Sequence, residues 1–568
     1  IHQPSEEIYR MFDKLILLDV GGYQIYYGNP IEAISYFKEA VNMVDRFSTN
    51  NPEQIFNIVE SKLVDEYGRL TKNRKINPAQ WYEKFQKNIQ LPSVEESMDL
   101  PEKNLNAPGR FRQFLIFGHR DLLSKFSNKQ YLLINSLEAP LLAFLLAGII
   151  RYTGSENEMY SFRENINIPV YFFMSVIVAL FMGLTVSAEE IIRDRKILKR
   201  ERFLNLSRSS YLSSKMGILF GISAIQTLTY VVIGNWILDV KDMTVIMWMV
   251  LFSVSCFANI LGLNVSSALK SAVTVYILIP LLIIPQLILS GVVVNFDRLN
   301  PVISNEKYVP FIGDIMASRW AYEALAVGQY KDNRFEKQFF EYDKAIGQAE
   351  FKTIYHITRL ETALEYVKSN YEEPERNRKQ IDNRLAMLRK EINDELYYIG
   401  KDEFPEIDDL FFDKLRPAIF EETADFLKKL KAYYNLKAKK ASAKKNEIVE
   451  DLLSKENGKD QFMILRDQYQ NERISALVKN LGTTHRIIEV GDELVQKLYP
   501  IYKDPEFPGG PLDIRAHFYS PTKHFAGSWY DTVYFNIIIV WLMIVILIIT
   551  LYFDALKRLL KLLSTKKP

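Results

Sequence analysis

The sequence predicts a mostly α membrane protein with six transmembrane helices, a large α-helical extracytoplasmic insertion between helices five and six, and the truncated end of an α/β domain in front. Three observations carry this. Six apolar stretches are as long as the about 20 residues a helix needs to cross the hydrocarbon layer. Residues 297–530 leave that apolar pattern for charged stretches with helical spacing. The first residues read as strand and turn instead of helix.

The totals set bounds. The chain has 568 residues, a net charge of +2 and 25% charged residues, so no bulk electrostatic argument for nucleic acid exists. The single cysteine, Cys256, lies in an apolar run. It excludes an intramolecular disulfide and a multi-cysteine zinc site, and a small buried hydrophobe is its simplest role.

The elements follow in order. In "IHQPSEEIYRMFDKLILLDVGGYQIYYG" there is no basic start followed by an apolar stretch, as a signal peptide would have. "DKLILLDVGG" reads as a strand closed by a Gly-Gly turn and "YQIYYG" as its hairpin partner. A lone hairpin is marginal in water, so residues 1–108 are expected to be the end of a larger domain with its linker. Residues 109–130 place Phe111, Phe114, Leu115, Leu122 and Phe126 near helical spacing, with Arg110, Arg112, Arg120 and Lys125 between them. That pattern fits a helix lying in the inner interface with its cations toward lipid phosphates, or a plain cytosolic amphipathic helix.

The six apolar stretches are 131–150, 169–188, 216–238, 245–269, 273–294 and 532–553. The fourth and fifth carry Asn259, Asn264, Pro280, Pro285 and Gln286, which suit a bundle interior better than lipid. Between the second and third, "IIRDRKILKRERFLNLSRSSYLSSK" sets Arg193, Arg195, Lys196, Lys199, Arg200, Arg202, Arg208 and Lys215 against Asp194 and Glu201. An excess of Lys and Arg marks the cytoplasmic side. "YTGSENEMYSFRENINI" is acidic and the tail "DALKRLLKLLSTKKP" basic, so both termini are expected inside and 297–530 outside. Glu189 and Glu190 end the second span, where pairing with a cation such as Arg193 is expected, and Glu138 near the start of the first either pairs within the bundle or reaches the interface.

In the outer segment, "RNRKQIDNRLAMLRKEINDEL" spaces Ile381, Leu385, Leu388, Ile392 and Leu396 by four and three, as an amphipathic helix does. "FLKKLKAYYNLKAKKASAKKNEIVEDLLSK" continues in that style, its lysine run a solvated face. "YPIYKDPEFPGGPLDIRAHFYSPTKHF" reads as an ordered loop returning to the membrane. His517 and His524 lack a metal-binding spacing. The chain contains no nucleophile motif, no carboxylate pair and no phosphate loop that would mark an enzyme.

One resemblance remains. "IHQPSEEIYRMFDKLILLDVGGYQIYYGNPIEAISYF" resembles the end of the nucleotide-binding domain of ABC transporters of the G subfamily, the white and pleiotropic-drug-resistance type. "NNPEQIFNIVES", "SAEEIIRDRKILKRERFLNLSRSSYLSSK" and "VPFIGDIMASRWAYEAL" resemble further segments of that family in the same order. The outer insertion is longer than the family's usual loop. The resemblance implies the membrane portion of a half-transporter, following the truncated end of an ATP-binding cassette. ATP and magnesium would be bound mainly by residues upstream. It implies a second half-transporter as partner in a homodimer or heterodimer, surrounded by membrane lipids. The activity implied is ATP-driven export of a lipid or other hydrophobic or amphipathic compound across the cell membrane. ATP hydrolysis would belong to the full-length protein, since the phosphate loop and signature are not in this sequence. His2 would be the switch histidine that contacts the γ-phosphate, and Arg193, Arg200, Glu201 and Arg202 would form a coupling loop, or else serve only as positive-inside anchors. A different reading is a membrane-anchored assembly or signalling protein whose outer helices bind an extracytoplasmic protein partner, gated by the cassette.

Overall fold

The computed structural model describes residues 6–43, 52–91, 108–153, 159–204, 206–372, 377–505 and 510–565. His2 lies outside them. The chain divides into two compact units, Ile1–Asn106 and Ala107–Pro568.

In the first unit the expected hairpin is present. β1 (Leu15–Leu18) pairs antiparallel with β2 (Gln24–Gly28). The turn between them holds Gly21 and Gly22 at φ of 89° and 79°, a left-handed region that glycine enters without a Cβ clash. Helix α1 (Pro30–Ala40) follows at once because Asn29 caps it, accepting from the Ile31 backbone N–H at 2.9 Å. After α2 (Glu53–Val59), the hairpin β3 (Lys62–Val64) and β4 (Leu70–Arg74) leads into α3 (Pro78–Asn88), which starts with an Asn77–Gln80 capping box. Phe37 and Trp81 meet edge to face at 5.2 Å in the core.

The second unit is built on apolar helices. α4 (Arg110–Ser127) precedes α5 (Lys129–Ile150), α6 (Ile168–Ser187), α7 (Glu190–Arg200), α8 (Arg208–Leu238) and α9 (Thr244–Ala268). Among the described residues, five helical stretches are long and apolar enough to cross a membrane: α5, α6 running on into α7, α8, α9, and the late helix Thr532–Tyr552. The predicted fifth span, 273–294, differs. Its helix, α10 (Ala272–Ile288), has 17 residues and contains Pro280 and Pro285. At 1.5 Å per residue that is about 25 Å, and the chain turns at Gly291 with φ of 79°.

Helices α6 and α9 pack closely because small residues face each other. A Cβ on Gly183 would stand 2.5 Å from the Ser255 carbonyl oxygen, and one on Gly262 would stand 2.0 Å from Ser187 Oγ. Close backbone approach is what drives helix association where lipid removes the hydrophobic contribution.

The long segment before the last span is helical, with a hydrophobic core of its own. After α11 (Ala317–Lys331) and α12 (Phe340–Phe351), one π turn (Lys352–His356) leads into α13 (Ile357–Asn370). Helix α14 (Arg378–Ile399) buries the five residues whose spacing predicted it, Ile381, Leu385, Leu388, Ile392 and Leu396, in one core with Ile419, Phe420, Leu427 and Leu430 of the 38-residue α15 (Pro417–Ser454). Helices α16 (Gly458–Tyr469) and α17 (Glu472–Val478) follow. The returning segment contains two hairpins, β5 (Ile487–Val490) with β6 (Glu493–Gln496) and β7 (Thr522–Phe525) with β8 (Ser528–Asp531). It then enters α18 (Thr532–Tyr552) and α19 (Ala555–Thr565). Asp531 caps α18 through the Val533 N–H at 2.9 Å.

Candidate functional site

The site is a cluster of buried charges where α4, α7 and α8 meet. Along α4 the buried positions are Gln113, Phe117, Asp121 and Lys125, four residues apart, the spacing that stacks side chains on one helix face. The apolar residues Phe111, Leu115, Leu122 and Phe126 are exposed. Helix α4 is therefore polar inside and apolar outside, the arrangement of a helix whose outer face meets lipid. This corrects the sequence expectation for Lys125. It does not point toward lipid phosphates but inward, donating to Glu190 Oε1 at 2.6 Å.

Glu190 starts α7 and receives two lysines. Besides Lys125, Lys215 Nζ donates to its Oε2 at 2.8 Å. Lys215 also reaches Asp121 Oδ1 at 2.5 Å and Asp194 Oδ2 at 2.9 Å. Here the sequence reading is corrected again. Its place between two apolar stretches puts Lys215 among the loop cations, but α8 begins at Arg208 and carries it into the interior, where its side chain is 3% exposed. Arg193 stands 3.1 Å from Glu190, as one partner among three. The Tyr211 hydroxyl donates to Asp194 at 3.0 Å and its ring meets Phe117 edge on. Three carboxylates (Asp121, Glu190, Asp194) thus face three cations (Lys125, Lys215, Arg193). Charges removed from water are tolerated only when matched and hydrogen-bonded in this way, and removing one member leaves an uncompensated charge.

The stretch predicted as a loop is mostly helix, and it is tied to α9. The backbone N–H groups of Ile191 and Ile192 donate to Ser266 Oγ at 3.1 and 3.2 Å. Arg195 donates to the carbonyls of Ser266, Ser267 and Leu269, the last at 2.6 Å. It satisfies the unpaired acceptors at the end of α9 and complements the helix dipole there.

The remaining predicted residues are dispersed. Glu201 accepts from Arg120 at 2.7 Å, a second link from α4. Arg200 is exposed at the end of α7, and the side chain of Arg202 lies outside the described residues. Glu189 is half-buried, near the Tyr276 phenol of α10. Glu138 is half-buried on α5. Asp121, Lys125 and Lys215 are the residues whose role sequence reasoning missed. A polar stripe at four-residue spacing on an otherwise apolar helix, and a lysine directly before an apolar run, were the available signals.

A second buried cluster lies in α11. Glu323 accepts from Lys523 Nζ at 2.8 Å, from the Tyr519 N–H at 2.9 Å and from Asn536 Nδ2 at 2.9 Å. Arg319 Nη1 stands 3.4 Å from it, its guanidinium 3.8 Å from the centre of the Trp320 ring. The cluster joins α11 to the β7 hairpin and to α18. Burial pushes the Lys523 ammonium down to about 8. His517 does not sit in a metal cluster; its Nε2 hydrogen-bonds with the Pro500 carbonyl at 2.8 Å. Among the described residues no group of three His, Cys, Asp or Glu is placed to hold a metal ion.

Comparison with known proteins gives this arrangement a class. Residues 112–330 match the family described as ABC-2 type transporter, and residues 2–103 match a second family of the same description. The chain carries the membrane portion of an ABC-2 type transporter. Within that class its relatives are of the G subfamily. It is 24% identical over 255 residues to "ABC transporter G family member STR" of Medicago truncatula, covering 44% of this chain and 29% of that protein. It is 25% identical over 249 residues to "ABC transporter G family member 42" of Arabidopsis thaliana, covering 41% of this chain and 17% of that protein. It is 27% identical over 253 residues to "ABC transporter G family member 52" of Oryza sativa subsp. japonica, covering 41% and 17%. The chain spans less than a third of the length of these relatives.

Proposed function

We propose that this chain is the membrane portion of an ATP-driven exporter of a lipid or another hydrophobic or amphipathic compound, working with a second half-transporter in the cell membrane. The observation that carries the reading is the charge cluster at Glu190. It locks α4, α7 and the start of α8 into one block at one end of the apolar helices. A push on α4 or α7 would then move α6 and α8 together, because separating the block would strand buried charges. In this reading Arg193, Arg200, Glu201 and Arg202 form the face that receives the motion of a cassette, and His2 contacts the γ-phosphate of ATP. Magnesium and the other phosphate contacts are assigned to sequence upstream. Both termini lie on the cytoplasmic side and 297–530 on the other, as the distribution of Lys and Arg suggests. The fifth of the six spans is α10, Ala272–Ile288, with the turn after it.

The test uses the full-length protein with its cassette, reconstituted in vesicles with a fluorescent phospholipid. ATP-dependent movement of the probe between leaflets supports the reading. ATP turnover with no movement of any amphipathic probe sinks it and favours an assembly or signalling role in which the outer helices bind a protein partner.

A further inference from the structure

The last helix, α19, is unlike the rest of the chain. Leu556, Leu559, Leu560 and Leu563 fall at the i, i+3, i+4, i+7 positions of one face, and Lys557, Arg558 and Lys561 fall on the other. It contains no acidic residue. Leu556, next to the elbow, packs against the bundle core, while Leu559, Leu560 and Leu563 are 54%, 39% and 63% exposed. An 11-residue helix with such a face does not stay uncovered.

Two features define what covers it. The first is continuity with a span. Helix α18 ends at Tyr552 and α19 starts at Ala555, so the apolar face begins within about one turn of the membrane boundary. The elbow is Asp554, in the left-handed region at φ of 50°. Arg208 holds it, reaching Asp554 Oδ1 at 2.7 Å and the Leu551 carbonyl at 3.2 Å. The elbow is thereby fixed to the start of α8, the end of the bundle where the outward apolar face of α4 also lies. The second is charge. Three cations on the face opposite the leucines, with no acid among them, complement an anionic surface.

We propose that α19 is an in-plane helix that binds anionic phospholipid, its leucines in the acyl boundary and Lys557, Arg558 and Lys561 on the headgroup phosphates. This rests on the membrane reading above and goes beyond it. A contact of this kind makes the elbow at Asp554, and through Arg208 the start of α8, responsive to the charge of the leaflet.

The test is fluorescence quenching by a nitroxide lipid. Cys256 is fully buried and is the single native cysteine, so Leu559→Cys gives one accessible labelling site for an environment-sensitive dye. The labelled chain is placed in vesicles of neutral phosphatidylcholine or of phosphatidylcholine with phosphatidylglycerol. Quenching is expected in both and at least twofold stronger in the anionic vesicles. Each cation at such a surface is worth roughly a fivefold preference, so K557Q/R558Q/K561Q is expected to abolish the difference between the two lipids. Equal quenching in both lipids for the native helix overturns the anionic preference. Absence of quenching at residue 559 with the dye in an apolar environment means that protein covers the face, and overturns the proposal. A parallel label at Val545→Cys, mid-way along α18, reports insertion itself. If that site is not quenched, the membrane reading has failed, and α19 with it.

Discussion

Lys215 Nζ lies 2.8 Å from Glu190 Oε2, joining two helices through residues 25 apart in sequence whose side chains are 3% and 2% exposed. The pair shares Asp121 and Lys125 of α4, so three helices meet on one set of charges. Lys215→Met leaves three carboxylates facing two cations. It is expected to destabilise the protein by about 3–5 kcal/mol, the usual cost of breaking a buried pair. K215M/E190Q is expected to recover part of that loss, since it removes charge from both sides. Unfolding in mixed detergent micelles measures both, and a cycle that is simply additive would show that the two residues do not interact.

The contact of α6 with α9 is expected to be intolerant of size. Gly262→Val puts a branched side chain where Ser187 Oγ lies within 2.0 Å of the first added carbon. Gly148→Ala, on α5 with open space around it, is the control. The first is expected to lower the yield of folded protein and its melting temperature by several degrees; the second leaves both unchanged. Size-exclusion profiles and thermal aggregation check this.

Acid stability has a named contributor in the helical insertion. His356 is 1% exposed, on the π turn, with Nε2 2.8 Å from Glu391 Oε2. Burial holds its imidazole below the ordinary value. The unfolded chain then takes up a proton below about pH 6.5 that the folded chain refuses. Stability from this group is present above that pH and is lost as pH falls through it. His356→Gln, which keeps a donor for Glu391, is expected to flatten the decline between pH 7 and 5 in a thermal melt.

At alkaline pH the sign is set by Lys523. With its ammonium pushed down to about 8, the unfolded chain binds one more proton between there and the ordinary lysine value of about 10.5. Stability from this group therefore rises with pH across that window. Lys523→Met is expected to remove the rise and, at pH 7, to destabilise by about 3–5 kcal/mol, because Glu323 loses its closest cation. Melting curves of the two proteins from pH 7 to 10 decide it.

Much of this was legible in the sequence. Apolar length located the spans, and the spacing of Ile381, Leu385, Leu388, Ile392 and Leu396 located α14, because both are local patterns tied to burial. The cluster at Glu190 was half legible. A glutamate at the end of a span demanded a partner, and Arg193 was the near one in sequence. The partners that approach closest, Lys125 at 2.6 Å and Lys215 at 2.8 Å, come from other helices, and pairing across helices leaves no periodic trace. The role of Lys215 is hidden because counting cations between spans cannot tell a solvated lysine from one drawn inward by three carboxylates. The apolar stretch 273–294 outruns its helix because hydropathy counts Val292, Val293 and Val294 as span, whereas Gly291 has already turned the chain.

The central claim is that the Glu190 cluster transmits cassette motion to the spans. It is tested most directly by the amount of fluorescent phospholipid moved per ATP hydrolysed, in vesicles containing the full-length protein. Lys215→Met, recovered as folded protein, is expected to hydrolyse ATP at close to the native rate while moving at least about tenfold less lipid, which corresponds to about 1.4 kcal/mol of lost coupling. An unchanged ratio of lipid moved to ATP hydrolysed would contradict the claim.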